Sequence, residues 1–241
     1  MELPQPLVEG RFVARLNRFA VLVEAGGAPC QAHLPNSGRL RELLVPGAEV
    51  LLVRRAGPGR RTPYDLALVR EGHAWVSVDA RLPNRLFREA LEAGLLEEWR
   101  GARVAGAEVR RGASRLDFVL EGPGEGSRTW VEVKSVTLVL EGCGMFPDAV
   151  TARGARHVEE LIRAVGQGEG AAVVFVVQRD DARCFRPHWE ADPYFARTLA
   201  WAAAAGVRVL AYRCQVSPRA VRIAGSLPVL LSLPGDLAAF S

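Results

Sequence analysis

The sequence has a single lysine, few cysteines and no long apolar segment. Four cysteines, Cys30, Cys143, Cys184 and Cys214, lie far apart and form neither a CxxC pair nor a zinc-finger spacing with histidine. We therefore expect no zinc site and no disulfide framework. No run approaches the roughly 20 apolar residues that a membrane-spanning helix needs, and the first residues lack the basic and apolar regions of a signal peptide. These absences predict a cytoplasmic protein with reduced cysteines and no membrane partner.

The composition describes a chain that can fold. Its 241 residues are 49% hydrophobic and 24% charged, which suits one large or two small domains and excludes general disorder. The net charge of +4 is too small to predict a polyanionic partner by itself. Lys134 is the only lysine beside 30 arginines. Arginine replaces lysine readily on a surface but not where a compact ammonium enters a confined site, so Lys134 is either functional or a chance survivor of arginine-rich coding.

Short alternating segments fill the first 80 residues. Strands are predicted at 7–16, 19–24, 29–34, 49–54 and 66–70, with a short helix at 39–44 capped by Ser37. Three strands, a helix and two further strands are the order of an OB-fold barrel. We expect this barrel in residues 1–80, with another small barrel as the alternative.

After this segment the period changes to that of helices and buried strands. Helices are predicted at 85–99 (capped by Asn84), 153–165 and 193–205, and strands at 103–110, 115–120, 130–140, 171–177 and 207–212. The order α-β-β-β-α-β, which then continues, predicts a mixed sheet flanked by helices in residues 81–241. The chain as a whole is therefore expected to be of the mixed α/β class.

Three charged side chains on two of these strands carry the chemistry. Glu132 and Lys134 share one strand face, and Asp117 lies opposite an apolar pair in the preceding strand. If these strands are neighbours, Asp117 and Glu132 can hold Mg²⁺ or Mn²⁺ and Lys134 can position a water beside a phosphate. This D…ExK pattern is typical of restriction-endonuclease-like nucleases, and Glu89 in the preceding helix is a candidate for a further catalytic carboxylate. The alternative is an ordinary surface ion pair.

Several longer motifs carry a resemblance. They are Pro35-Asn36-x-Gly38, Asn84-Arg85-Leu86 with Glu89-Ala90, Ser114-Arg115-Leu116-Asp117-Phe118, Val131-Glu132-Val133-Lys134-Ser135, Phe146-Pro147-Asp148 with Thr151, Arg153 and His157, and Gln178-Arg179. In this order they resemble the sugar fermentation stimulation protein A family along nearly the whole chain. The resemblance implies an OB-fold domain joined to a restriction-endonuclease-like domain, DNA binding, a link to sugar metabolism, and a nuclease-type centre at Asp117, Glu132 and Lys134.

Arginine-bearing loops are the candidate DNA contacts. In an OB fold the loops after strands one and four frame the ligand face. In the second domain a helix start favours phosphate through its free amides. The candidates are Arg15 and Arg18 in the first loop, Arg54, Arg55, Arg60 and Arg61 in the second, and Arg85, Arg115, Arg153, His157 and Gln178 beyond. The alternatives are a solvated loop for the arginines and a buried, hydrogen-bonded position for His157.

Together these features predict a DNA-binding protein with a Mg²⁺- or Mn²⁺-dependent phosphodiesterase centre. The main alternative is a non-catalytic DNA-binding regulatory protein on a nuclease scaffold. An enzyme acting on a small phosphorylated substrate is less favoured, because the sequence has no Walker loop, no GxGxxG after a strand and no Ser/His/Asp motif. The sequence predicts no particular oligomeric state.

Overall fold

A computed structural model describes residues 1–55, 57, 59–60, 62–122 and 127–232. The first half contains β1 (Leu7–Asn17), β2 (Ala20–Ala25), β3 (Ala28–His33), β4 (Glu49–Arg54), β5 (Tyr64–Glu71) and β6 (Ala74–Ser77). The helices are α1 (Leu82–Glu92), α2 (Ala152–Gly166) and α3 (Pro193–Ala204). The remaining strands are β7 (Arg103–Arg111), β8 (Ser114–Glu121), β9 (Arg128–Val136), β10 (Val139–Leu140), β11 (Cys143–Phe146), β12 (Gly170–Val177), β13 (Cys184–Pro187), β14 (Arg208–Val216) and β15 (Val221–Leu227).

The first five strands close into a barrel. β1 pairs with β2 and β4, β3 pairs with β2, and β5 joins β4 on one side and β3 on the other. Alternate side chains such as Phe12, Val21, Leu52 and Leu66 fill its interior. This arrangement confirms the predicted OB fold, because closure of the five strands leaves one continuous apolar core.

The predicted short helix at 39–44 is wrong, since the structure has a turn there. Leu40 adopts a φ of 50°, which a right-handed helix cannot contain. Leu40 and Leu43 are both buried in the barrel core. Burial of these two side chains therefore favours the turn over the helix that the local sequence pattern predicts.

The second half is built on a six-stranded sheet of order β15-β14-β12-β9-β8-β7. Strands β9, β12 and β14 are parallel, whereas β7, β8 and β9 form an antiparallel meander. Helix α1 packs on one face with Phe87 and Leu86, and α2 and α3 pack on the other with Leu161 and Leu199. The apolar strand β12 is buried on both faces, as predicted, and the mixed α/β class is confirmed.

The first helix differs from the prediction. It starts at Leu82, with Pro83 in its first turn, and ends at Glu92, followed by a short 3₁₀ turn at Glu97–Trp99. Asn84 therefore lies inside the helix and is not its cap. A proline in the first turn is favourable because its missing N–H has no helical partner there.

A disulfide links Cys143 to Cys184, so the expectation of no disulfide was wrong. The two residues are directly paired on the parallel strands β11 and β13, with their Cα atoms 4.5 Å apart. Because they are separated by 41 residues, no local spacing pattern indicates the pairing. Cys30 and Cys214 are free thiols.

Polar contacts join the barrel to the second sheet. Gln178 is fully buried; its side chain accepts a hydrogen bond from the Ser77 hydroxyl at 3.1 Å and donates one to the Ser135 hydroxyl at 2.9 Å. The backbone N–H of Arg39 donates to Asp148 at 2.5 Å. These contacts fix the barrel against the carboxyl end of β9. None of the helices in the described ranges is both long and apolar enough to cross a bilayer.

Candidate active site

The candidate site lies where strands β8 and β9 separate. Their ladder runs from Glu121–Arg128 to Phe118–Val131. At the next position Asp117 turns its carboxylate into the gap, where Oδ2 accepts a hydrogen bond from the Val133 N–H at 2.7 Å. The neighbourhood of these two strands, on which the predicted convergence depends, is confirmed. The Asp117 carboxylate thereby takes the place of the backbone carbonyl that would otherwise accept from Val133. It lies in the gap where β8 and β9 separate, which we call the fork.

Glu132 and Lys134 complete the site from β9. The Lys134 ammonium donates to Glu132 Oε1 at 2.6 Å, and His157 Nδ1 bonds to the same oxygen. Glu132 Oε2 is buried and has no hydrogen-bond partner within the described part of the chain. Buried carboxylate oxygens normally have a partner. An unpartnered hard oxygen next to Asp117 suits a divalent cation such as Mg²⁺ or Mn²⁺, so the residues present fit the predicted metal.

The two carboxylates have pKa values shifted in opposite directions. Burial, reinforced by the charge of Glu132, raises the pKa of Asp117 to about 6. Burial also acts to raise the pKa of Glu132, but Lys134 and His157 outweigh it and hold that pKa below its ordinary value. The anionic form of Glu132 is thus stabilised by its neighbours. The anionic form of Asp117 is destabilised by burial and by Glu132, and a bound cation would offset that destabilisation.

Two further side chains orient the carboxylates. Asn84, in the first turn of α1, donates its amide to Asp117 Oδ1 at 2.7 Å. His157, in α2, is buried against Glu132, and Arg153 approaches its Nε2 at 3.4 Å. A carboxylate accepts only, so the ring donates from Nδ1 and keeps Nε2 as an acceptor. The predicted DNA contact His157 is instead a residue that orients Glu132, as outer-shell partners do in metal sites.

The third predicted carboxylate does not join the pair. Glu89 is 54% exposed and bonds to the amino-terminal nitrogen of Met1 at 2.9 Å, although it lines the same groove as Asp117. In the described residues no group of three or more His, Cys, Asp or Glu side chains is arranged to hold a metal. A cation at Asp117 and Glu132 would therefore complete its shell with waters and substrate oxygens, as Mg²⁺ commonly does.

A groove of about 460 Å³ opens from Asp117 along α1. Arg85 and Arg88 line it, together with Asn84, Glu89 and Glu108. Sequence reasoning missed Arg88 and the role of Asn84. Arg85 and Arg88 are three residues apart, the spacing that places two side chains on one helix face, and the predicted helix at 85–99 already contained both. Asn84 was assigned to the cap because asparagine is common there.

The barrel arginines have different surroundings. Arg15 donates to the carbonyls of Gly38 and Arg39, both at 2.7 Å, and so stabilises that segment. Arg18 is exposed in the β1–β2 turn. Arg54 is exposed and lies over the Tyr64 ring at 5.7 Å. The predicted contact Arg61 lies outside the described residues.

Arg55 and Arg60 converge on one buried acid. They bond to Asp65 at 3.1 Å and 2.5 Å. Burial acts to raise the pKa of Asp65, but the two guanidinium groups outweigh it and lower that pKa. Arg81 bridges Asp65 and Asp79, so three arginines and two acids leave an excess of one positive charge. Arg55 and Arg60 are therefore tied to the barrel, and Asp65 offsets part of their positive charge.

The remaining predicted DNA contacts include both exposed and buried side chains. Arg85 and Arg153 are exposed near the site. Arg115 forms an ion pair with Glu108, which offsets its charge. Gln178 has 0% exposure and connects Ser77 to Ser135, so the structure corrects its predicted role from DNA contact to interdomain contact.

Comparisons with known proteins agree with this architecture. Residues 13–78 match the model of the SfsA N-terminal OB domain, and residues 81–220 match the model of the sugar fermentation stimulation protein RE domain. The sugar fermentation stimulation protein homolog of Moorella thermoacetica is 48% identical over 97% of this chain and 100% of its own length. The homolog of Caldanaerobacter subterraneus subsp. tengcongensis is 42% identical over 96% of this chain and 100% of its own.

A solved structure extends the match to three dimensions. Pyrococcus furiosus SfsA, determined in complex with Ca²⁺, superposes with a TM-score of 0.87 and 33% identity, covering 95% of this chain and 98% of that one. The family assignment rests on three findings: two family models that match in chain order, relatives above 40% identity along nearly the whole chain, and a solved structure with the same fold. The chain belongs to the sugar fermentation stimulation protein family.

Proposed function

We propose that this protein binds DNA and hydrolyses its phosphodiester bonds at the fork between β8 and β9, using Mg²⁺ or Mn²⁺. One observation carries the proposal. The buried Glu132 Oε2 has no partner in the described residues and lies beside a second carboxylate, Asp117, and the only lysine of the chain. Structural ion pairs normally satisfy both carboxylate oxygens, whereas a metal-binding carboxylate keeps one free.

Each side chain has a distinct task in this reaction. Asp117 and Glu132 would hold the cation, which would supply Lewis-acid activation of a water and would offset charge on the scissile phosphate. Lys134 donates one N–H to Glu132. Among the described residues its other two N–H groups have no acceptor, so they can donate to the attacking water or to a phosphate oxygen. Asn84 and His157 hold the two carboxylates in place. Water forms a bond to phosphorus as the opposite P–O bond breaks; the attacking water gives one proton to solvent and the leaving oxygen takes one from solvent, so the products are a phosphomonoester end and a hydroxyl end.

Two further facts support the proposal. The relative from Pyrococcus furiosus was solved with Ca²⁺, a hard cation that prefers oxygen ligands as Mg²⁺ does. Arg85 and Arg88 line the groove that leads away from Asp117, and Arg153 is exposed on α2 close to His157. Guanidinium groups pair well with phosphate oxygens, so a DNA backbone crossing the site would meet cations on both sides.

The test is a cleavage assay with Mn²⁺ and with Mg²⁺ on single-stranded, duplex and branched DNA, comparing wild type with Asp117→Ala. We expect cleavage by wild type alone. Cleavage by both proteins would remove Asp117 from the mechanism. A matched control is Asp180→Ala, an exposed acid that does not line the groove at Asp117, which should cleave like wild type.

DNA affinity is measured beside cleavage, at several salt concentrations. A steep fall of affinity with salt indicates several phosphate contacts. Binding without cleavage under either metal would overturn the catalytic part of the proposal and favour a DNA-binding regulatory protein on the same fold.

A further inference from the structure

A second cavity, of about 420 Å³, lies between the barrel and the second sheet. Arg18 and Arg39 line it from the barrel, and Ser135 and Thr137 line it from the carboxyl end of β9. Its floor starts one residue beyond Lys134. In sheets with parallel strands, ligands bind outside the carboxyl ends of those strands. The cavity therefore adjoins the candidate active site at the edge where a ligand is expected.

The cavity wall is held in a fixed position by close backbone contacts. A Cβ at Gly38 would stand 2.8 Å from Asp148 Oδ2, so a larger residue there would have to displace that carboxylate. The carboxylate of Asp148 accepts from the Arg39 N–H, and Arg15 donates to the carbonyls of Gly38 and Arg39. The segment that carries Arg39 is thus anchored from both sides, so the cavity is preformed.

The side chains in this wall offer three kinds of contact. Arg18 and Arg39 have no side-chain ion pair in the described residues. The side chain of Arg18 lies over the Phe19 ring at 5.3 Å. Asp148 provides an acceptor, and Met145 and Phe146 provide apolar surface. A nucleotide presents the complementary groups: a phosphate for guanidinium, amino groups for a carboxylate, and a base face for apolar side chains.

We infer that this cavity holds one unpaired nucleotide next to the scissile phosphate, so that the substrate is single-stranded DNA. The inference deepens the proposed function and rests on it for the position of the scissile phosphate. Pockets of about 300–1,000 Å³ hold one small organic molecule. At about 420 Å³ the cavity has room for a nucleotide but not for a base pair with both sugars.

The test measures binding in EDTA, where metal-dependent cleavage is absent. Fluorescence anisotropy compares a single strand of about 12 nucleotides, within the site sizes of OB folds, with the blunt duplex of the same sequence and with the free mononucleotide dAMP. The proteins are wild type, Arg18→Ala, Arg39→Ala and the matched control Arg41→Ala. Arg41 is exposed, lies two residues from Arg39 and does not line the cavity.

We expect the single strand to bind at least about tenfold more tightly than the duplex or dAMP, and Arg18→Ala and Arg39→Ala each to weaken single-strand binding about tenfold. Arg41→Ala should stay within about twofold of wild type. Duplex or dAMP binding as tight as the single strand would overturn the inference. So would unchanged single-strand affinity in both cavity variants.

A Mn²⁺ cleavage assay on the same strand separates this inference from the proposed function. Single-strand preference lost in Arg39→Ala, with no cleavage by any protein, would overturn the nuclease proposal and the placement of the scissile phosphate but support the nucleotide cavity. Cleavage of duplex and single strand at equal rates, unaffected by Arg39→Ala, would support the nuclease and overturn the cavity.

Discussion

Asp117→Asn should make the metal-free protein more stable while abolishing its activity. The Asp117 carboxylate is buried in the strand fork beside Glu132, and its pKa rises from 3.8 to about 6. Asparagine keeps an oxygen for the Val133 N–H, and Asn84 can rotate its amide to offer an oxygen to the new NH₂ group. The substitution therefore removes the charge and preserves the hydrogen bonds.

The magnitude follows from the pKa shift. A carboxyl that binds its proton more tightly in the folded chain weakens the fold as the pH rises through 3.8 and then about 6. The shift from 3.8 to about 6 corresponds to about 3 kcal/mol once both states are ionised. For a chain of this size that is roughly 6–12 °C in Tm. At about pH 5 the gain should fall to roughly half, because Asp117 is then mostly protonated in the folded wild type but still ionised in the unfolded chain, and it should vanish only below pH 3.8.

Thermal unfolding in EDTA at about pH 8 and about pH 5 measures this difference. Asp180→Asn is the matched control, since this exposed carboxylate bears no such burial and should leave Tm unchanged. Added Mn²⁺ should raise the Tm of wild type but not of Asp117→Asn. If Asp117→Asn is no more stable than wild type at about pH 8, the Asp117 anion does not destabilise the metal-free fold and the reasoning is refuted.

Three further outcomes follow from the structure. His157→Gln should weaken Mn²⁺ binding about 10- to 100-fold by freeing Glu132 to rotate, measured by calorimetric titration; unchanged affinity would remove His157 from the site. Cys143→Ser with Cys184→Ser opens a link spanning 41 residues and should cost about 4 kcal/mol in urea unfolding, whereas equal stability with and without reductant would contradict the bond. Lys134→Met should abolish cleavage at temperatures where it is folded and should lower the Tm, because the buried Glu132 carboxylate then keeps only His157 as a partner; residual cleavage near the wild-type rate would show that the ammonium is dispensable.

Much of the fold follows from local pattern. The strand Glu49–Arg54 has the predicted bounds, and the apolar run of β12 correctly indicates a strand covered on both faces. The shared strand face of Glu132 and Lys134 follows from the two-residue period alone, and the structure joins the two side chains by a hydrogen bond. Such features depend on residues close in sequence.

Most of the errors depend on long-range contacts. Asn84 contacts Asp117, 33 residues away, and the disulfide spans 41 residues, so no local spacing reveals either. Asp65 lies just beyond the arginine loop but becomes its anchor only when the barrel buries it. Leu40 leaves the predicted helix for the same reason, because its burial in the barrel core outweighs local propensity.

The most direct measurement of the central claim is an anomalous difference map from crystals soaked in Mn²⁺, for wild type and for Asp117→Asn. The account predicts one strong peak between the Asp117 carboxylate and Glu132 Oε2 in wild type, and its loss in the variant. A wild-type map with no peak at the fork between β8 and β9, or an equal peak in the variant, would contradict it.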